Sequence, residues 1–491
     1  MPNLYAQLHR RYGKPDGITR REMLQRSLAA GAALLISDRF GLPLRAAAGR
    51  VVVVGAGFSG LAAAYELSRA GYDVTVAEAR NRIGGRVLTF KDFVPGKSVE
   101  GGGELIGSNH PAWAAYAKQF GLEFLNAGEE DLEFPIVLGG KRLTSDQSEA
   151  LWEEMEKVFN TIVTDASKIP DANEPWKTPD AAALDARTLA AWIESRDTSA
   201  QCKAALHAMM TADNGVITEW QSYLGNLAMV NGGGLEKYWT ESEVYRCKGG
   251  NQQLATKFAA AIGAERVLTR TPVRAIAAND RGVRVTLTNG KMLEADHVIV
   301  TAPPPVWNRI AFDPVLPPDL APQMGSNVKF LVATGSPFWR RAELAPEWLT
   351  DGPIQLTWHA TDGQRGAGEA FVAFSGGPAA DTCREWAPAQ RTENYLVELQ
   401  KIYKGIRAGY RRSRFMDWPG DAWAKASYSF PAPGQVTKQG PILREGLGRI
   451  HFAGEYVSYA FMGYMEGALN SGAAVARRIA ARDGVLKSEA A

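Results

Sequence analysis

The chain has 491 residues, of which 45% are hydrophobic and 22% charged, and its formal net charge is +2. This length is too great for one simple core, so two domains or a large α/β body are expected. The balanced charge, without Lys/Arg-rich runs interleaved with aromatic residues, argues against nucleic acid as a partner. Cys202, Cys247 and Cys383 form no CxxC pair and the six histidines show no metal-ligand spacing, so neither a disulfide framework nor a metal site is predicted.

Residues 1–49 form an N-terminal segment with two interpretations. Thr19-Arg20-Arg21-Glu22-Met23-Leu24-Gln25 resembles a twin-arginine export signal, and a short apolar stretch (28–36) and the small residues Ala46-Ala47-Ala48 follow it. Alternatively, residues 21–35 are an amphipathic helix that stays and packs on the body. The first interpretation predicts a periplasmic or secreted protein and the second a cytoplasmic one. Since a bilayer span takes ~20 apolar residues, no membrane span is predicted.

A βαβ unit is predicted from residue 50 onward. Arg50-Val51-Val52-Val53-Val54 is typical of a strand buried on both faces of a parallel sheet. Gly55-Ala56-Gly57-Phe58-Ser59-Gly60 follows directly, then a predicted helix (61–70) and a second strand (72–77) that ends at Glu78. This context makes the glycine motif a strong signal for dinucleotide binding.

Each residue of this motif has a physical task. Gly55 makes the tight turn, Gly57 lets the backbone approach a pyrophosphate, and Gly60 lets helix and strand pack closely. The helix N-terminus offers N–H groups and a positive dipole end to the phosphates. Glu78 is placed to accept hydrogen bonds from the adenosine ribose hydroxyls.

The segment after the second strand favours FAD over NAD. Glu78-Ala79-Arg80-Asn81-Arg82-Ile83-Gly84-Gly85-Arg86-Val87 resembles the equivalent segment of the FAD-dependent amine oxidase family, which includes monoamine, polyamine and L-amino acid oxidases. The resemblance implies that Arg80, Gly85 and Arg86 bind the cofactor. Glycine permits close backbone approach, and arginine neutralises phosphate charge.

The resemblance continues in patches from about residue 50 to residue 480. Its further motifs are Glu100-Gly101-Gly102-Gly103-Glu104-Leu105-Ile106-Gly107, Lys248-Gly249-Gly250-Asn251-Gln252-Gln253-Leu254, Arg449-Ile450-His451-Phe452-Ala453-Gly454-Glu455 and Gly463-Tyr464-Met465-Glu466-Gly467-Ala468. Between them, strands are predicted at 266–273, 283–287 and 297–301, with a hairpin turn at Asn289-Gly290. Val273, at the end of the first of these strands, is included among the cofactor-binding residues.

The implied fold class is α/β, with a Rossmann-like FAD-binding domain of the glutathione-reductase/amine-oxidase type and an interleaved α+β substrate-binding domain. The FAD-binding domain is predicted to be discontinuous (50–125, 245–308 and 418–480). The substrate-binding domain takes 126–244 and 309–417, and 481–491 form a tail. The site is expected where the two domains meet.

The resemblance also implies roles at the flavin, which accepts the equivalent of a hydride from the substrate α-carbon. Glu455 is expected to bind ribityl hydroxyls, and the N-terminus of a helix predicted at 463–476, around Met465, to stabilise negative charge on the reduced cofactor. Lys329, within Asn327-Val328-Lys329-Phe330, is the predicted catalytic lysine that holds a water against flavin N5 and assists oxygen reduction. A lysine in an apolar strand is costly unless it has partners. Tyr464 is predicted to flank the substrate amine with its aromatic face.

Two positions depart from the family pattern. The region that would hold a second cage aromatic and a flavin-linked cysteine has Ser427 at the cage position with Tyr428 beside it, and no cysteine, so FAD is predicted to be non-covalent. Trp423 and Tyr428 are predicted substrate residues. Leu105 stands where the venom-type L-amino acid oxidases carry an arginine that grips the substrate carboxylate. The arginines Arg246, Arg340 and Arg341 are available for that task, and the sequence selects none of them.

The predicted function is FAD-dependent oxidative deamination of an L-amino acid by oxygen, yielding the imino or keto acid, ammonia and hydrogen peroxide. The alternative is a monoamine or polyamine oxidase, or a dehydrogenase, acting on an amine without a carboxylate. Small-molecule substrate and molecular oxygen are the expected partners, and the sequence leaves a homo-oligomer open.

Overall fold

A computed structural model describes residues 4–14, 20–35, 48–127 and 132–486 of the chain. The helices in these ranges are α1 (Leu4–Tyr12), α2 (Arg20–Leu34), α3 (Phe58–Arg69), α4 (Pro111–Phe120), α5 (Ser145–Ala166), α6 (Ala181–Ala186), α7 (Leu189–Glu194), α8 (Ala200–Asn214), α9 (Tyr223–Gly232), α10 (Glu236–Glu241), α11 (Gln253–Ile262), α12 (Pro378–Glu385), α13 (Pro388–Gln400), α14 (Ile406–Gly409), α15 (Gln435–Glu445) and α16 (Met465–Arg482). The strands are β1 (Arg50–Val54), β2 (Asp73–Ala77), β3 (Thr89–Val94), β4 (Lys97–Glu100), β5 (Phe124–Asn126), β6 (Ile136–Leu138), β7 (Lys141–Arg142), β8 (Tyr245–Cys247), β9 (Val267–Leu268), β10 (Val273–Asn279), β11 (Gly282–Leu287), β12 (Met292–Ala295), β13 (His297–Val300), β14 (Ala311–Asp313), β15 (Asn327–Thr334), β16 (Trp348–Thr350), β17 (Leu356–His359), β18 (Glu369–Gly376), β19 (Tyr410–Asp417) and β20 (Ile450–Phe452).

A five-stranded parallel sheet in the order β20-β13-β1-β2-β9 forms the nucleotide-binding core. The valines of β1 are buried on both faces, as their continuous β-branched run predicts. Helices α3 and α16 pack against each other beside this sheet. The first and last segments of the region from about residue 50 to residue 480 therefore meet in one domain. The predicted α/β class is confirmed.

The predicted strand at 266–273 is wrong as one element. Val267–Leu268 joins the parallel sheet as β9, whereas Val273 begins β10 in a separate four-stranded sheet of order β12-β11-β10-β14. Arg270 between them has a positive φ of 54°, which turns the chain, and Pro272 cannot donate to a ladder. The hairpin turn at Asn289-Gly290 is present between β11 and β12.

The second large sheet has seven strands in the order β19-β15-β18-β17-β16-β6-β7 and belongs with helices α5–α10 to the other half of the molecule. It combines strands from both segments predicted for the substrate-binding domain. One boundary differs: β14, which the limit at residue 308 assigns to the substrate-binding domain, pairs in parallel with β10 of the nucleotide-binding half.

The N-terminal helices pack on the body. Tyr5 of α1 stacks on Phe159 of α5 with ring centroids 4.3 Å apart. Gly31 of α2 lies against the backbone of Pro111 in α4, and Ser27 donates a hydrogen bond to the carbonyl of Ser108 at 2.6 Å. Several features of the export signal lie outside what the structure describes: Thr19, Ile36, the small residues at 46–47 and the side chains of Arg20 and Arg21. Export therefore stays a prediction. Within the described ranges no helix is both long and apolar enough to cross a membrane.

Candidate active site

One cavity between the two halves of the molecule brings the predicted site residues together. Those that line it are Gly55, Gly57, Glu78, Arg80, Gly85, Arg86, Leu105, Val273, Lys329, Trp423, Tyr428, Glu455, Tyr464 and Met465. Gly60 is the predicted residue that does not line it. A Cβ at Gly60 would lie 2.1 Å from the carbonyl oxygen of Gly55, so this glycine serves helix–strand packing, as its position in the motif predicts.

The glycine loop is open towards the cavity at one residue. Gly55 has a positive φ of 112°, which makes the turn out of β1. Gly57 is the N-cap residue of α3, and no side chain caps this helix end. A Cβ on Gly57 would meet only the Cα of Gly85, at 3.9 Å, so the space in front of it is free for a ligand. The N–H groups of the first turn of α3 are the matching anion donors.

Glu78 is held at the end of β2 by the backbone. Its carboxylate accepts hydrogen bonds from the N–H of Ala56 at 2.7 Å and from the N–H of Arg80 at 2.8 Å. A carboxylate has about four acceptor positions, so two remain for ligand hydroxyls. The Arg80 guanidinium donates to Asp421.

Trp423 lies at this end of the cavity too. Its backbone N–H donates to Asp421 at 2.8 Å, and the Arg309 guanidinium lies 5.2 Å from the centroid of its ring. The structure therefore brings Trp423 to the Arg80–Asp421 pair, where the nucleotide is expected, rather than to the aromatic residues predicted to contact substrate with it.

Glu455 ties together the segments that surround the middle of the cavity. One carboxylate oxygen accepts from Arg86 at 3.1 Å, and the other accepts from the N–H and hydroxyl of Ser429 and from the N–H of Gly463. Arg86 also donates to the carbonyl of Ser427. Glu455 thus links Arg86, Ser429 and Gly463, which lie in three separate segments of the cavity wall. It does so in addition to any contact with the cofactor.

The predicted helix at 463–476 begins two residues later, at Met465. Gly463 has a positive φ of 77°, and a Cβ there would lie 3.1 Å from the Tyr428 ring, so this residue makes a turn before the helix. Tyr464 is the N-cap residue and supplies no side-chain cap, which leaves the first N–H groups of α16 at the cavity wall.

These residues fit FAD. Two helix N-termini, an open glycine at the motif position and a carboxylate with spare acceptor positions line one continuous cavity. The three cysteines are buried, and none of them lines the cavity, so no thiol is placed to join the flavin covalently. When bound, FAD supplies the two-electron redox chemistry, and the protein supplies position and electrostatics.

Lys329 has the partners that a lysine in an apolar strand requires. Every residue of β15 is buried. The Lys329 ammonium donates to the carbonyl of Gly102 at 2.7 Å and to the Glu104 carboxylate at 2.8 Å, and it lies 5.2 Å from the centroid of the Trp358 ring. Lys329 lines the cavity, and its catalytic role stays a prediction. Glu104 and Trp358 were not predicted as its partners.

Beyond Lys329, three tyrosines and two carboxylates line the cavity. The Tyr238 and Tyr464 rings meet edge to face with centroids 6.4 Å apart, and the Tyr428 hydroxyl donates to the backbone carbonyl of Asp213 at 2.7 Å. Burial and the neighbouring Glu243 carboxylate raise the pKa of Asp213 well above its usual range. We call Asp213, Tyr238, Glu243, Tyr428 and Tyr464 the tyrosine–carboxylate cluster.

Sequence reasoning missed Tyr238, Asp213 and Glu243. Tyr238 comes from α10, Asp213 from α8 and Glu243 from the loop before β8, and no motif marks any of them. Buried tyrosine and aspartate in helices carry no spacing signal, so the fold alone brings them together.

A Rossmann-type sheet, a second domain and a shared cavity with a nucleotide end define a two-domain, dinucleotide-binding oxidoreductase. The family model described as "Flavin containing amine oxidoreductase" matches residues 58–480. The chain belongs to this family, its cofactor is FAD, and it is an enzyme of amine oxidation.

Individual relatives agree on the family and differ in substrate. The chain is 29% identical over 450 residues to an L-amino acid dehydrogenase of Synechocystis, covering 87% of this chain and 94% of that one. It is 28% identical over 461 residues to the flavin-containing amine oxidase B of Homo sapiens, covering 87% and 85%. Cyclohexylamine oxidase from Brevibacterium oxydans has a similar structure, with a TM-score of 0.80, 27% identity and coverage of 88% and 99%.

Proposed function

We propose that the chain oxidises a primary amine that carries no carboxylate beside the amino group, and that oxygen takes up the electrons. The amine loses the equivalent of a hydride from its α-carbon and a proton from nitrogen to give an imine, which water hydrolyses to a carbonyl compound and ammonia. Oxygen gains two electrons and two protons and leaves as hydrogen peroxide.

The observation that carries this proposal is the pair of acidic side chains in the tyrosine–carboxylate cluster. Asp213 and Glu243 line the cavity on the side of Tyr464, the residue predicted to flank the amine. Burial beside Glu243 raises the pKa of Asp213, and a substrate ammonium group in the same place would offset that effect and favour the ionised carboxylate. The ammonium group gains further from the aromatic faces, whereas a substrate carboxylate would meet the Glu243 carboxylate, and such like-charge contacts cost several kcal/mol.

The arginines support the same substrate class. Arg246, one of the three candidates for gripping a carboxylate, is buried and bound to Glu104, Asp362 and the carbonyl of His359. Arg340 and Arg341 are exposed and do not line the cavity.

Among the residues that the structure describes, the arginines that line the cavity are Arg80, Arg86 and Arg309. Arg80 is paired with Asp421, Arg86 with Glu455, and Arg309 lies on the Trp423 ring. A carboxylate beside the reacting amine would therefore have to compete with these partners for a bidentate arginine contact.

The test compares phenylethylamine with L-phenylalanine and D-phenylalanine, since these molecules share the ring and amine and differ in the carboxylate. Peroxide release in air is measured beside anaerobic bleaching of the flavin absorbance. We expect kcat/KM for phenylethylamine to exceed that for L-phenylalanine by about 100-fold or more, equivalent to about 3 kcal/mol. A preference for L-phenylalanine would overturn the proposal. Bleaching without peroxide would keep the substrate class and replace oxygen by another acceptor.

An L-amino acid is the second candidate, and the similarity to the Synechocystis L-amino acid dehydrogenase favours it. In that case L-phenylalanine would bleach the flavin and an artificial acceptor would restore turnover, while phenylethylamine would remain inert. The same assay plate separates the two candidates.

A further inference from the structure

The Lys329 ammonium is fixed at two of its three donor positions. It donates to the Gly102 carbonyl and to Glu104, and its side chain lines the cavity. An ammonium group has three N–H donors. One donor therefore remains for a molecule inside the cavity.

Glu104 is the centre of the bonds behind Lys329. Its second oxygen accepts from Arg246 Nε and from Trp358 Nε1, each at 2.9 Å. Burial alone would raise the pKa of the Glu104 carboxyl, but the charges of Lys329 and Arg246 override it and hold the pKa at about 2. Glu104 is thus an anion throughout the working range of an enzyme.

The bonds continue one step further from the cavity. Arg246 donates to Asp362 and, at 2.8 Å, to the carbonyl of His359. Asp362, Arg246, Glu104 and Lys329 form a row of alternating charge, which we call the charge row; its formal charges sum to zero. The row has its positive end, Lys329, at the cavity.

Stability is a weak explanation for such a row. Buried ion pairs can often be replaced by apolar residues of similar volume without loss of stability, so their presence is weak evidence for a stabilising role. The row does hold the Lys329 ammonium in one place, because Glu104 is itself fixed by Arg246 and Trp358.

We infer that Glu104, backed by Arg246, is the positioning residue that keeps the Lys329 ammonium aligned for the reduction of oxygen. In that step oxygen takes two electrons and a proton from the reduced cofactor and a second proton from solvent, and hydrogen peroxide leaves. Lys329 stabilises the negative charge that develops on oxygen and is itself unchanged. The inference rests on the oxidase part of the proposed function.

The experiment needs no substrate. Holoenzyme is photoreduced under anaerobic conditions with EDTA as the electron donor and mixed with oxygenated buffer, and the return of the flavin absorbance is followed. Lys329→Met should slow reoxidation by about 100-fold, within the range for loss of a catalytic group. Glu104→Gln should slow it on the order of tenfold, because the ammonium keeps its charge but loses its fixed position.

Lys97→Met is the matched control. Lys97 is buried and pairs with Glu369 at 2.7 Å, neither residue lines the cavity, and Glu369 keeps its contact with His359 when Lys97 is replaced. The loss of Lys97 tests the general effect of breaking a buried pair, and we expect the wild-type reoxidation rate.

The midpoint potential of the bound FAD is a second readout, independent of turnover. Glu104→Gln leaves the charge row with a net positive charge and should raise the potential, because an anionic reduced cofactor is stabilised. Lys329→Met leaves a net negative charge and should lower it. A purely structural defect would not move the two variants in opposite directions.

Wild-type reoxidation in Glu104→Gln, or potentials that shift in the same direction, would overturn the inference. Wild-type reoxidation in Lys329→Met would overturn it too, and peroxide release with amines would still decide the proposed function separately. If Glu104→Gln fails to retain FAD, Glu104→Asp replaces it. That variant keeps the charge and should keep the potential, but it should still slow reoxidation because its carboxylate is one methylene shorter.

Discussion

Replacing Gly57 by alanine separates the requirements of the fold from those of the cofactor. Gly57 has φ −76° and ψ 179°, an extended conformation that alanine adopts without strain. The nearest atom to an added Cβ is the Cα of Gly85 at 3.9 Å, an ordinary contact. Because alanine restricts the unfolded chain, the FAD-free protein should be as stable as wild type or more stable by about 0.4–1 kcal/mol.

The effect on FAD should be large. The added methyl group enters the space through which a pyrophosphate reaches the first N–H groups of α3. Hydrogen bonds to a charged group contribute about 1.5–3 kcal/mol each. Loss of one or two of them predicts a cost of about 2–4 kcal/mol, which weakens FAD binding by about 30- to 700-fold.

The assay is a fluorescence titration of deflavinated protein with FAD, with thermal unfolding of the same preparation. Gly405→Ala is the control, since Gly405 has φ −86°, lies outside the cavity and would place its Cβ at 3.6 Å from the nearest atom. Both variants should fold, and only Gly57→Ala should lose affinity. Wild-type FAD affinity in Gly57→Ala would refute the assignment of this end of the cavity to the pyrophosphate.

Three further predictions concern substrate, pH and the N-terminus. Leu105→Arg should move the kcat/KM ratio towards L-phenylalanine relative to phenylethylamine, and Leu105→Met should not; equal ratios in both variants would argue against Leu105 as a specificity position. Burial raises the pKa of Glu100 to about 8, so the folded state prefers the protonated acid and loses stability as pH rises from about 4.5 to about 8. Glu100→Gln should therefore gain in Tm relative to wild type between about pH 5 and about pH 9, and a constant difference in Tm would contradict the assignment. Deletion of residues 1–35 removes the buried side chains of Leu4, Tyr5 and Leu8, each contributing about 1.5–3 kcal/mol, and should lower Tm, whereas a removable signal would leave it unchanged.

The nucleotide-binding half could be predicted because its requirements are local. Within about thirty residues the chain has a buried strand, a glycine turn, a helix and an acid at the end of the next strand. Their spacing can therefore be recognised from the sequence alone. Gly55, Gly57 and Glu78 lie as that spacing predicts. The error at 266–273 has a local cause that alternation alone does not reveal, because the turn at Arg270 leaves the pattern of apolar residues intact.

The tyrosine–carboxylate cluster could not be predicted in the same way. Asp213 and Glu243 are thirty residues apart, and their helices and loops meet Tyr464 only after the whole chain has folded. Neither hydrophobic periodicity nor a motif connects them. The substrate class depends on this cluster and on Leu105 standing in place of an arginine, so local sequence patterns alone do not determine it.

The partner of Lys329 lies between these two cases. A charged side chain in a fully buried strand implies a counter-charge nearby, since an isolated buried ammonium is far too costly. The glycine-rich motif at 100–107 contains two acids, Glu100 and Glu104, and the structure selects Glu104 because Arg246 and Trp358 also reach it. The physical rule thus predicted that a partner exists, while the choice between the two acids depended on a strand 142 residues further along the chain. Where a sequence places a charge in an apolar strand, the acids of neighbouring motifs are the residues to test first.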